Sequence, residues 1–358
     1  MLRPREAVRT LPSYHPPLAG RDGLRLDFNE NTVGCSPRVL ERLRQLSPEQ
    51  LASYPEREPV EAAVADILGI AAAELLLTNG VDEAIHLLCE TYLEPGDEAL
   101  IVVPTYSMYR IYMMAAGARV ISVPAGKDFQ FPGSDVCNQI TPRTRLIAIA
   151  NPNNPTGTVA PIEDLRRIAV SAPNAAVLVD EAYFEFYGES MLAVRSELPN
   201  LFVARTFSKA YGMAGLRVGM LVGEAEQMRA VRRVGSPYNV NAVALACLPE
   251  ALGDQAYLQQ YVREVRESRA RLERALEASG IQFWPSEANF VLARVGAAAS
   301  FVESMRRRGI LVRNRSGDHG CEGCVRITLG PREHADRLLA ALQETFEELG
   351  IMQGAPRR

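Results

Sequence analysis

The strongest constraint in this sequence is a series of short apolar runs that do not alternate with polar residues. EALIVVP, RLIAIAN, AAVLVDEAYF, LFVARTF and VGMLVG are nearly continuous in Val, Ile, Leu and Ala, and each stops at polar or turn residues. A strand with one face in water alternates apolar and polar side chains, so runs of this kind belong where both faces are covered, as in a mainly parallel sheet. Between and before them lie segments with helical spacing, among them EPVEAAVADILG, VDEAIHLLCETYL and YSMYRIYMMAAG. The alternation predicts an α/β fold around a mainly parallel sheet covered by helices.

After about residue 240 the texture changes. DQAYLQQYVREVRESRARLERALEASG has apolar residues at three- and four-residue intervals and predicts one long helix. The strands NFVLARV, ILVRN and CVRITLG follow, with helices around AAASFVESMRRRG and EHADRLLAALQETFEELG. This predicts a smaller α+β domain. The expected division is an arm over 1–28, a large domain over 29–240 and a small C-terminal domain over 241–358, within the size range for a chain of two domains.

Several function classes are excluded by composition. Lys plus Arg is 39 and Asp plus Glu 43, so the formal net charge is −4 and nothing general attracts nucleic acid. No apolar stretch approaches the ~18 residues of a membrane span, and the opening MLRPREAVRTLPSYHPP carries no hydrophobic signal segment. Six cysteines are too sparse for a disulfide framework. A cytoplasmic protein without membrane or nucleic-acid partners is expected.

Four polar clusters end the apolar runs: TNGVDEAI, NPNNPTG, DEAYFEF and TFSKAYGMAGLRVG. The carboxyl ends of parallel strands lie along one edge, where ligands bind, so these clusters are predicted to converge. Together they offer a lysine, a carboxylate, an amide, a glycine turn opening a helix, and an arginine. That set meets the needs of pyridoxal phosphate, whose aldehyde bonds a lysine, whose ring nitrogen takes an acidic partner and whose phosphate needs an anion site.

With these residues in this order the chain resembles the fold-type I, pyridoxal-phosphate-dependent aminotransferases, and within them it is similar to the histidinol-phosphate aminotransferases. LDFNEN, SYPE, PTYSMY, NPNNPTG, VDEAY, SKAYGMAGLRVG and VRITLG carry the resemblance, which spans nearly the whole length, and no GxGxxG or Walker pattern competes. The resemblance implies a seven-stranded, mainly parallel sheet in the large domain. It makes Lys209 the lysine that bonds the cofactor and moves the proton, and Asp180 the partner of the ring nitrogen. Asn154 and Tyr183 would hydrogen-bond the phenolic oxygen, and Tyr106 would stack on the ring. Gly80, Val81 and Asp82, opening a helix, would receive the phosphate with Ser208 and Arg217. Tyr54 would reach the phosphate of a neighbouring subunit's cofactor, which makes the expected unit a homodimer.

For the substrate, the resemblance points to Arg326 as the cation for the anionic arm, with Arg313, Tyr14 and Asn31 as further contacts. Substrates would be histidinol phosphate and glutamate or 2-oxoglutarate, in histidine biosynthesis. An aromatic amino acid aminotransferase and a threonine-phosphate-type decarboxylase stand as alternatives; a regulator's sensing module does not, because the segment before Leu26 is too short for a DNA-binding domain. The sequence departs from the family pattern at Thr32, where proline usually follows NEN, and at Val81, a branched residue at a small position. Tyr109 and Tyr112, spaced three and six residues after Tyr106, read as core packing. His319, Cys321 and Cys324 form one CxxC without a second pair, which reads as a tight loop, and no metal is expected.

Overall fold

A computed structural model describes residues 2–9, 11, 20 and 22–351. Its strands, in chain order, are β1 (Leu24–Leu26), β2 (Leu75–Thr78), β3 (Glu98–Val103), β4 (Arg119–Pro124), β5 (Thr144–Ala150) and β6 (Ala176–Asp180), then β7 (Leu201–Thr206), β8 (Gly219–Gly223), β9 (Gln282–Trp284), β10 (Phe290–Arg294), β11 (Ile310–Asn314) and β12 (Cys324–Thr328). Seven of them form one sheet in the order β2-β8-β7-β6-β5-β3-β4, and five form another in the order β1-β11-β12-β10-β9.

The non-alternating runs become the centre of the seven-stranded sheet. Leu146, Ala148 and Leu178 point to one face and pack with Ile85 and Leu88 of the helix Gly80–Tyr92. Ile147, Ile149 and Val177 point to the other and pack with Leu165 and Ile168 of the helix Ile162–Ser171. Because both faces are dry, alternation carries no benefit, and Leu146–Ala150 and Ala176–Val179 are apolar at every position. Pairing is parallel throughout β4-β3-β5-β6-β7, while β8 runs antiparallel to both β7 and β2. The chain leaves β3 for the edge strand β4 and returns to β5 on the other side of β3. This reversal is a topological switch point, and it opens a crevice at the carboxyl ends of β3 and β5.

The five-stranded sheet is covered by the helices Gln255–Ala278, Ala298–Arg307 and Arg332–Glu348, whose Leu272, Leu276, Phe301, Met305, Leu338 and Leu342 share a core with Phe290 and Ile310. The 24-residue helix begins at Asp254, whose carboxylate accepts from the Tyr257 backbone N–H at 3.3 Å and from the Ser36 hydroxyl at 2.5 Å. The strand Leu24–Leu26 was not anticipated. Leu24–Leu26 lie in the segment read as an arm, yet they pair in parallel with β11, Leu24 opposite Ile310. Three residues are too few to show a period, and only the sheet edge they add to identifies them as a strand. The core of this sheet also takes in Tyr183, Phe186 and Ala210 from the loops beyond β6 and β7, which joins the two sheets at the crevice. Among the described residues no helix is long and apolar enough to cross a membrane.

Candidate active site

Because β2, β3, β5, β6 and β7 all run one way, the polar clusters after them meet along one edge. β8 runs the other way, with Gly219 opposite both Thr78 and Thr206, so the residues before it, Arg217 included, arrive at the same edge. A cavity of about 580 Å³ lies there, between the two sheets.

Asp180 ends β6 and forms part of the cavity wall with only 5% of its surface exposed. Its Oδ2 accepts from the Tyr109 hydroxyl at 2.6 Å and its Oδ1 from the Ala182 backbone N–H at 3.0 Å. Burial pushes the carboxyl up to about 6, and the Tyr109 hydrogen bond works against that rise. Both donors are neutral, so the carboxylate keeps an unmatched charge directed at the cavity. Tyr109 is therefore not plain core packing, as its spacing implied. It is fully buried, its ring meets Tyr106 edge to face at 5.6 Å, and its hydroxyl is aimed at Asp180.

Lys209 follows β7 by three residues and is half-buried in the cavity wall, where its Nζ donates to the Phe28 carbonyl at 3.0 Å. Burial lowers its amine to about 8, and the nearby Arg326 and Arg217 charges act the same way. An amine so placed loses its proton far more readily than an exposed lysine.

The residues expected to receive a phosphate gather where β2 turns into the helix Gly80–Tyr92. Gly80 has φ +73°, and a Cβ there would lie 2.6 Å from Arg217 Nη2, so only glycine lets the guanidinium approach the helix start. Arg217 itself sits in the left-handed region at φ +52°, a strained conformation that clusters at functional sites. Its Nη2 donates to Asp82 Oδ2 at 3.1 Å, its Nη1 lies 3.5 Å from Ser208 Oγ, and Asp82 Oδ1 accepts from the Tyr106 hydroxyl at 2.8 Å. Val81, Asp82, Tyr106 and Ser208 all line the cavity. Taken together, a buried carboxylate with neutral partners, an amine of lowered basicity and a helix start bearing a guanidinium fit pyridoxal phosphate part for part.

The opposite wall comes from the five-stranded sheet. Arg313 and Arg326 are directly paired in the β11–β12 ladder and both line the cavity. Arg326 is 5% exposed; its Nη1 donates to Asn154 Oδ1 at 2.5 Å and its Nη2 to the Asp27 carbonyl at 2.7 Å. Burial, followed by the charges of Arg315 and Arg313, brings it down to about 10. Arg313 lies over the Phe28 ring at 5.2 Å. The Tyr183 hydroxyl accepts from Asn29 Nδ2 at 2.9 Å, and Asn29 in turn is fixed by the Thr328 hydroxyl, which donates to Asn29 Oδ1 at 3.0 Å.

Two expected residues stand away from the cavity of their own chain. Asn31 is turned away from the cavity: its Nδ2 donates to the Ala210 carbonyl at 3.0 Å and its Oδ1 accepts from the Val33 and Gly34 backbone N–H groups, so its side chain shapes the loop, and Asn29, not Asn31, is the asparagine of the LDFNEN segment that lines the cavity, beside Asp27, Phe28 and Glu30. Tyr54 is 77% exposed and stacks on Tyr238 with ring centres 4.3 Å apart, outside the cavity of its own chain. Tyr14 lies outside the described residues. Cys321 and Cys324 are buried beside Phe129 and Trp284, and among the described residues no group of three or more His, Cys, Asp or Glu side chains is arranged to hold a metal ion. Arg315, which also lines the cavity, escaped the sequence reading; its signal was the two-residue spacing from Arg313 in ILVRNR.

Comparison with known proteins places these features. The profile of the family "Aminotransferase class I and II" matches residues 21–342. The histidinol-phosphate aminotransferase of Roseobacter denitrificans is 38% identical over 330 residues, covering 89% of this chain and 90% of that one. That of Moorella thermoacetica is 34% identical over 359 residues, covering 95% and 92%. Among solved structures, the histidinol-phosphate aminotransferase of Sinorhizobium meliloti in complex with pyridoxal-5′-phosphate matches with a TM-score of 0.85 at 27% identity, covering 98% of this chain and 99% of that one.

Proposed function

Since the chain belongs to the class I and II aminotransferases, we propose that its cavity carries out amino-group transfer between L-histidinol phosphate and 2-oxoglutarate, giving imidazole-acetol phosphate and L-glutamate in histidine biosynthesis. The enzyme is an aminotransferase whose cofactor is pyridoxal 5′-phosphate. The observation that carries the reading is one cavity in which Lys209 and Asp180 face a wall of guanidiniums from β11 and β12.

When bound, the cofactor supplies an aldehyde carbon that exchanges amines and a ring that takes up the electron pair of the broken C–H bond. Lys209 Nζ would anchor it and would take up and return the proton of the substrate carbon, a task suited to an amine of lowered basicity. Asp180 would hold a proton on the ring nitrogen, and the Tyr109 hydroxyl, donating to Asp180, holds the carboxylate in place. Tyr106 would lie against the ring, and Asn154 and Tyr183 would hydrogen-bond its phenolic oxygen. Ser208, Arg217 and the backbone of Gly80, Val81 and Asp82 would hold the phosphate. Arg326 and Arg313 take the substrate's anionic arm, a phosphate ester in one half-reaction and a carboxylate in the other, as guanidinium geometry allows.

Tyr54, exposed and outside its own cavity, serves the site of a second subunit in a cytoplasmic homodimer. A purified, cofactor-loaded preparation given histidinol phosphate and 2-oxoglutarate should form glutamate, and faster than with phenylalanine as donor. Faster turnover of phenylalanine, or carbon dioxide release without any oxo-acid, would displace this reading.

A further inference from the structure

The wall built by β11 and β12 brings three guanidiniums to one cavity. Arg313 lies opposite Arg326 in the ladder, and the Arg315 backbone N–H donates to the Cys324 carbonyl at 2.9 Å, which extends the pairing one residue past β11. Side chains two apart on a strand share a face, so Arg313, Arg315 and Arg326 point the same way, into the same cavity. The carboxylate set among them is Asp318, 2.5 Å from Arg315 Nε. Three guanidiniums thus converge on this wall, with Asp318 paired to Arg315, while Asp27 and Glu30 also line the cavity. Arg313 Nη1 and Arg326 Nε are buried and have no hydrogen-bond partner among the described residues, so the wall holds donors in reserve for an anion.

We propose that Arg315 determines specificity in the substrate anion subsite, selecting a doubly charged phosphate monoester over a singly charged carboxylate, with Asp318 offsetting part of its charge. The inference rests on the proposed function for its choice of phosphate substrate. A phosphate monoester loses its second proton near pH ~6 and is largely dianionic at neutral pH. Coulomb energy scales with the product of charges, so removing one cation costs a dianion about twice the free energy it costs a monoanion at the same place. In a rate ratio the loss is squared. The Arg313–Arg326 pair alone tolerates either anion, and the third cation sets the preference.

The test compares kcat/KM for histidinol phosphate and for glutamate in the holoenzyme. Arg315→Gln is expected to lower the glutamate value roughly 5-fold and the histidinol phosphate value roughly 25-fold, mostly through KM. Arg315→Lys should restore most of both losses. Asp318→Asn, which leaves Arg315 in place, should move the ratio the other way, in favour of the phosphate substrate, and it carries the test alone should Arg315→Gln fail to fold. Equal factors for the two donors, a fall in kcat at unchanged KM, or an Asp318→Asn ratio that falls or stays put overturns the proposal. If the wild-type enzyme does not use histidinol phosphate at all, the functional reading fails separately. Methyl phosphate and acetate, as competitive inhibitors of glutamate turnover, then report on Arg315 by the same squared relation.

Discussion

The Tyr109 hydroxyl donates to Asp180 Oδ2 at 2.6 Å across 71 residues of sequence, and it does so from a ring that is wholly buried. This bond opposes the effect of burial, which by itself drives the Asp180 carboxyl upward from its ordinary value. Its removal has a defined direction.

Tyr109→Phe should raise the Asp180 pKa above its present value of about 6. A hydrogen bond to a charged group contributes roughly 1.5–3 kcal/mol, so apoenzyme affinity for pyridoxal phosphate at pH 7 should fall about tenfold or more. Affinity should also be lost at a higher pH than in the wild type as the solution is acidified, which a fluorescence titration across pH 5–8 would show. An unchanged midpoint would mean that Tyr109 only fills space.

Lys209 makes a prediction about stability. Its folded-state amine is lowered to about 8 from an ordinary 10.5, so the cofactor-free fold pays for holding it charged. That penalty is complete below pH 8 and fades as pH rises from 8 towards 10.5, where the unfolded chain gives up its proton as well. Lys209→Met should therefore abolish turnover yet stabilise the apoprotein at pH 7 by about 2 kcal/mol, the pKa displacement being discounted for solvent that reaches the cavity. Denaturant midpoints for the two proteins should draw together as pH rises through that window; a constant gap would contradict the assignment.

Gly80→Ala places a methyl group 2.6 Å from Arg217 Nη2 at a backbone angle that alanine tolerates poorly. The guanidinium must retreat from the helix start. Binding of pyridoxal phosphate should weaken at least tenfold while binding of pyridoxal, which has no phosphate, changes little. A parallel loss for both would show a general collapse of the site.

Tyr54 can be tested by mixing subunits. In a hybrid of Lys209→Ala and Tyr54→Phe chains, one site combines an intact Lys209 with an intact Tyr54 from the other subunit. Activity should then exceed that of either variant alone and approach about half the wild-type value per hybrid dimer. Activity no higher than the mean of the two variants would place Tyr54 outside the neighbouring site.

Much of the architecture is written locally. Continuous apolar runs such as LIAIA and AVLV specify strands covered on both faces, because burial acts on each residue where it stands, and Asp180 and Lys209 follow such runs directly. Chemistry that ends a buried strand is therefore legible from sequence. Relationships that depend on strand order and direction were not. Arg217 reaches the anion site because β8 runs against its neighbours, and Leu24–Leu26 become a strand only through the edge of β11. Tyr109 shares its spacing with packing residues, and only the packing of the helix Ser107–Ala116 against β3, β4 and the helix Gly80–Tyr92 turns its hydroxyl to Asp180. Asn29 rather than Asn31 faces the cavity because the turn after it spends the Asn31 amide on backbone groups. By itself the sequence determined which segments are buried and which residue types end them, since periodicity and side-chain chemistry are local properties. The tertiary structure alone decided which of those residues meet, because each meeting spans scores of residues and follows from sheet order, strand direction and the pleat that sets Arg313, Arg315 and Arg326 on one face.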